Sequence, residues 1–259
     1  MSSRLSLALL LMLASLGTPA APPALAIYTD EWPPITFLDD GQPHGMAVEL
    51  VKLIQRKLRQ PQPIKLLPWA RAYNYLLTRP NVLLFTLGRS PEREKQMTML
   101  GPVAEANINL YARRGEAARL RALGEALYRQ PLTAFRSSIF LSAAKRRGFV
   151  NISESVDPEE SASMLYAGRV ALWSEGDSVV PSVLRKARLP PNAVEKVMLL
   201  ERVDLYLAFS RHTAPETVRG WERALRELKQ DGSYQRLHQR WLPGSPPPMR
   251  VELIGLPPG

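Results

Sequence analysis

The sequence contains no cysteine. That excludes a disulfide scaffold, a thiol nucleophile and a thiolate metal site. It does not fix the compartment, because a large core can hold an exported protein without cross-links. Histidine is scarce: His44, His212 and His238 stand far apart in unlike contexts. No His-x-x-x-His spacing suggests a metal, no Gly-x-Ser-x-Gly elbow or phosphate loop occurs, and no cofactor is expected. Beyond the amino terminus no apolar run reaches the roughly 20 residues that a membrane span requires. Long charged blocks are missing too. Lys and Arg number 34 against 24 Asp and Glu, a net charge of +10. Yet the basic residues are scattered, with nothing longer than pairs such as Arg113-Arg114 and Arg146-Arg147. Without an aromatic-interleaved basic patch, nucleic acid is not an expected partner. The field could still draw acidic solutes or an anionic surface.

What is present begins with Arg4 followed by LSLALLLMLASLG and then TPAAPPALA. A positive start, a short apolar middle and a small-residue exit make residues 1–20 a secretory signal peptide, with a cut after Ala20 or as late as Ala26. The expected location is the periplasm. The remaining length suits one large or two modest domains.

Strand-like and helix-like segments then alternate. AIYT is a strand, followed by a turn-rich loop, DEWPPITFLDDGQPHG. MAVELVKLIQRKL places Val48, Val51, Ile54 and Leu58 on one helical face. IKLLPW, VLLFTL and INLYAR are further strands, and ARAYNYLLTR is a helix. From Gly115 the pattern restarts: a helix, the strand LTAF, a helix after two serines, a strand over 149–152, the helix PEESASMLYAG, the strand RVALW, a helix and the strand VEKVMLL. DLYLAFS reads as a separate strand returning to the first half, before two helices split at Asp231-Gly232. The end, residues 242–259, is a proline-rich tail expected to be mobile. Such alternation implies α/β lobes with parallel strands, and a cleft between the lobes where ligands bind.

Within that frame, the segment SPEREKQMTMLGPV follows a buried strand. Ser90 is placed to cap a short helix, Pro91 to occupy its first position and Glu92 to favour its start, which anchors Arg93 one turn in. The plain alternative is a surface arginine. Trp69 and Arg71 occupy the next strand-to-helix loop. Arg136, Ser137 and Ser138 open a second-lobe helix, where free amides attract anions, unless the serine simply caps the helix.

Four stretches together resemble the family 3 extracellular solute-binding proteins over residues 25–241. They are YTDEWPPITFLDDGQPHGMAVELV, RSPEREKQMTMLGPV, MLYAGRVALW, and LYLAFS with WERALRELKQDGSYQRLHQRW. The resemblance implies a two-lobed periplasmic binding protein type II fold with hinge strands, near Leu110–Tyr111 and Tyr206–Ala208, and an inter-lobe ligand cleft. Lobe one would be 25–109 plus 208–241, and lobe two 110–207. It implies that Arg93 pairs with a ligand carboxylate through two parallel donors. It also implies that Thr86, Gly88, Ser137 and Ser138 lie beside that carboxylate, and that Asp30 and Trp32 form an acidic and aromatic wall. The aspartate that would hold an α-ammonium maps onto Gly176, with Glu175 or Asp177 as substitutes, and Ala171 stands where another aspartate is usual. A monomer that captures a small polar, carboxylate-bearing solute for an ABC importer's membrane subunits is the expected function. A periplasmic cyclohexadienyl dehydratase-like enzyme, with Glu175 as its acid, and a sensing module without transport are the alternatives.

Overall fold

The computed structural model describes residues 24–257. The expected signal segment, 1–20, lies outside them. A cut after Ala26 would remove the buried Leu25 and break the first strand, β1 (Ala26–Thr29), at the residue that pairs with Val82.

The two lobes share two strands. β6 (Thr98–Arg113) and β10 (Val194–Phe209) are antiparallel, each of 16 residues, so each runs about 50 Å and passes through both lobes. In lobe one the sheet continues from β10 to β5 (Val82–Gly88), β1 and β4 (Ile64–Leu66). β1 is parallel to both its neighbours. In lobe two β6 pairs with β9 (Leu172–Gly176), followed by β7 (Leu132–Phe135) and β8 (Ile152–Ser155), which run parallel. β5 and β7 are buried along their whole length, as expected of central strands covered on both faces. The helices Met46–Leu58, Pro215–Gln230 and Ser233–Trp241 pack together on lobe one, with Val48, Val51, Ile54 and Trp221 fully enclosed.

Several expectations are corrected. INLYAR is the far end of β6, and VEKVMLL and DLYLAFS are one strand. Gly101-Pro102 does not end β6, because the pairing slips there. Leu100 faces Leu207 and Ala104 faces Leu205, leaving a bulge that tolerates the missing proline N–H. The strands expected at the hinges are also paired into the flanking sheets. Leu110 and Tyr111 already pair with β9, and Leu207 and Ala208 with β5. The crossing segment, whose strand pairing is within the β6–β10 ladder, is 105–107 against 202–204; at its edges the Asp204 carbonyl also accepts from Arg89 N–H and the Asn107 carbonyl from Asp177 N–H. Strand propensity marks extended chain but not which neighbour it meets.

The strand expected over 149–152 lies instead at Ile152–Ser155. Phe149 ends the helix Ile139–Arg146: its N–H bonds the Ala144 carbonyl, Gly148 N–H bonds the Lys145 carbonyl and Gly148 has φ 91°, the Schellman arrangement. The loop after β1 contains a hairpin, β2 (Phe37–Asp39) and β3 (Gln42–His44). It turns at Asp40-Gly41, both at positive φ. Finally, the tail expected to be mobile carries an ordered strand, β11 (Glu252–Gly255), paired with β6.

Candidate functional site

The lobes meet around a cavity of about 620 Å³. Lobe one contributes the loop after β1 and the start of the helix Trp69–Thr78. Lobe two contributes the loop after β7, the end of β9 and the helix Val180–Lys186. Among the residues expected from the sequence, Asp30, Trp32, Trp69, Arg71 and Glu175 line this cavity. These are strand ends and helix starts, the usual ligand positions of open α/β sheets.

The others form a seam beside it. Arg93 is buried, 4% exposed. The capping geometry is as the sequence implies: Ser90 Oγ accepts from Arg93 N–H and Pro91 begins the turn. Its guanidinium donates to the Gly88 carbonyl at 2.7 Å and to the Ser137 carbonyl of lobe two at 3.1 Å. It lies 5.1 Å from the ring of Trp69, which stacks on Tyr73. Among the described residues no carboxylate stands within ion-pair distance of Arg93. Burial pulls its pKa down, countered by Tyr73 and Asp30. Thr86 and Ser137, both non-glycine residues at positive φ, stand on opposite sides of this seam. Such conformations collect at functional sites. The Thr86 hydroxyl is engaged with Phe85 and Thr29. Ser138 Oγ accepts from Leu141 N–H, so its hydroxyl serves as a helix cap. Gly88 approaches lobe two so closely that a Cβ there would sit 2.9 Å from Ile139.

Two cavity carboxyl groups are under strain of charge. Asp30 Oδ1 is enclosed without a hydrogen-bond partner, and desolvation pushes the Asp30 pKa up to about 7 despite nearby Arg93. Glu175 is fully buried. One oxygen accepts from Gly176 N–H at 2.9 Å, the other has no partner, and burial raises its pKa well above the carboxylate range. Asp177, the other sequence candidate, is exposed and bonds Asn107. Glu175, buried without a cationic partner, is held toward its neutral form, a state that a ligand supplying charge or a hydrogen bond would change.

The sequence did not flag Glu31, Phe140 and Lys186, which line the cavity, or Ser178, which bonds the cavity residue Trp32. Trp32 Nε1 donates to Ser178 Oγ at 3.1 Å, and its ring lies 5.3 Å from Phe140. Lys186 pairs with Glu31 across the cleft. Phe140 lies on the buried apolar face of the helix Ile139–Arg146, where an apolar side chain carries no ligand signal. Only Glu31, next to Asp30, had a local signal.

The sequence model for bacterial extracellular solute-binding proteins, family 3, matches residues 25–244. No curated protein matches the chain. Among solved structures, a histidine kinase sensor domain with similarity to periplasmic binding proteins aligns with TM-score 0.73 and 21% identity, covering 88% of this chain and 99% of that one. An ancestral arginine-binding protein bound to arginine aligns with TM-score 0.68 and 21% identity, covering 85% and 98%. An ancestral amino acid-binding protein, a precursor of cyclohexadienyl dehydratase, aligns with TM-score 0.65 and 21% identity, covering 84% and 94%. At these identities the likeness is one of fold. Among the described residues no helix is long and apolar enough to cross a membrane.

Proposed function

Because the chain belongs to the bacterial extracellular solute-binding proteins, family 3, we propose that it captures a small polar, carboxylate-bearing solute, an amino acid or a relative, between its lobes. The observation that carries this is Arg93: a buried guanidinium beside a cavity between two lobes, with no carboxylate in ion-pair contact among the described residues and Asp30 acting on it only at longer range. Carbonyl bonds alone leave a buried cation without a contacting counter-ion, and a planar anion would supply one through two parallel hydrogen bonds. Asp30, Glu175 and the Trp32 and Phe140 rings would shape the rest of the ligand. Capture proceeds by hinge closure at the crossing strands. The protein acts as a periplasmic monomer, and the closed form docks on an ABC importer's membrane subunits.

A thermal-shift screen against amino acids, polyamines and organic acids tests this, since a ligand that binds only the folded state raises stability with the logarithm of its concentration. A stabilising carboxylate supports the reading. A screen in which only ligands without a carboxylate stabilise would overturn it.

Glu175 favours a second reading. A neutral, buried carboxylic acid in a cavity wall is placed to protonate a leaving hydroxyl. Incubation with prephenate separates the two: formation of phenylpyruvate, lost in Glu175→Gln, marks an enzyme, and no turnover leaves a binder.

A further inference from the structure

The family match ends at residue 244, but the chain folds back as a strap over lobe one. β11 pairs with β6 from Glu252 opposite Gly101 to Gly255 opposite Thr98. Two bonds extend the ladder: Leu256 N–H to the Met97 carbonyl at 3.0 Å and Thr98 Oγ1 to the Leu256 carbonyl at 2.7 Å. A buried lysine holds the approach. Lys229 Nζ donates to the carbonyls of Pro102, Pro248 and Arg250 at 2.8, 2.6 and 2.6 Å, using all three of its protons.

The strap also reaches the crossing strands. Arg250 pairs with Asp204, and Glu252 accepts from the Tyr206 hydroxyl and lies 3.8 Å from Arg89. Asp204 stands directly opposite Glu105 in the antiparallel ladder, inside the crossing segment. Directly opposed residues share one face, and like charges there are destabilising. Among the described residues Glu105 has no ion-pair partner, and Arg250 is the only cation paired with Asp204.

We propose that the strap is a hinge brace, with Arg250 as the counter-ion of a like-charge pair, Glu105 and Asp204, built into the crossing strands. Docked, Arg250 holds the ladder together where the lobes join. Undocked, the two carboxylates repel across the ladder, the crossing segment loosens and the open form gains.

Hydrogen exchange of the unliganded full-length protein tests the brace. In Arg250→Ala, the amides of 105–107 and 202–204 should exchange about threefold faster, the scale of a cross-strand charge pair. Amides of β7 should be unchanged. Arg250→Lys should stay near the parent. Adding Glu105→Gln to Arg250→Ala should restore slow exchange, and 0.5 M salt should shrink the effect because Arg250 is half exposed. Unchanged crossing amides in Arg250→Ala would overturn the proposal. So would acceleration spread equally over both lobes, or a failure of Glu105→Gln to restore protection.

Discussion

Arg93 and Ser137 meet across the cleft: the guanidinium of lobe one donates to the lobe-two carbonyl at 3.1 Å, and Trp69 Nε1 donates to the same oxygen at 3.2 Å. One carbonyl thus ties the candidate anion anchor and a cavity wall to the opposite lobe, so ligand capture and closure share residues. Arg93→Lys keeps charge but loses the paired donors. With roughly 1.5–3 kcal/mol for a charged hydrogen bond, it should weaken ligand binding at least about tenfold, and Arg93→Ala further. Calorimetric titration with the solute found by screening reads this. An Arg93→Ala protein that binds as tightly as the parent removes Arg93 from the site.

Gly88 offers a separate lever. Alanine there would press on Ile139 of the other lobe at 2.9 Å, near that side chain's branch point, where little give is available. Gly88→Ala should therefore act as a wedge between the lobes: ligand affinity falls several-fold, with a smaller effect on the melting temperature of the unliganded protein. A large loss of stability with unchanged affinity would place Gly88 in lobe-one packing instead.

Asp30 should leave a mark on the pH profile. Its folded pKa is pushed up to about 7, mainly by desolvation, so the folded protein holds this proton where the unfolded chain has lost it. Its contribution to stability is complete below the ordinary carboxylate range, near pH 4, and is lost as pH rises through 7. Glu175 acts in the same direction. Melting of the unliganded parent should decline over that window, and Asp30→Asn should flatten part of the decline. Equal slopes in melting temperature against pH for parent and variant would show that Asp30 is well solvated.

Closure itself is visible by small-angle scattering. Trp32 bonds Ser178 and packs on Phe140, both in lobe two. Ligand should compact the parent, and Trp32→Ala should need more ligand to reach the same radius. A radius that does not change at saturation would count against hinge closure.

The sequence alone determined the apolar periodicities, the α/β alternation and the Ser90–Arg93 turn, because capping, helical faces and buried-strand runs are local. It also carried the order of motifs that marks the family. It did not determine partners. That β6 and β10 each span both lobes, that the crossing lies at 105–107 and 202–204, and that the carboxyl-terminal residues form β11 all depend on which strands meet. The site divides the same way. Asp30, Trp32, Trp69, Arg71 and Glu175 stood at strand ends or helix starts that the local pattern located, and they line the cavity. Arg93, Thr86, Gly88, Ser137 and Ser138 fall in the adjoining seam, because lobe contact turns donors and hydroxyls toward neighbouring carbonyls and caps. Tertiary structure also decided the upward pKa shifts of Asp30 and Glu175, since a carboxyl rises above its ordinary range only when packing takes away its water.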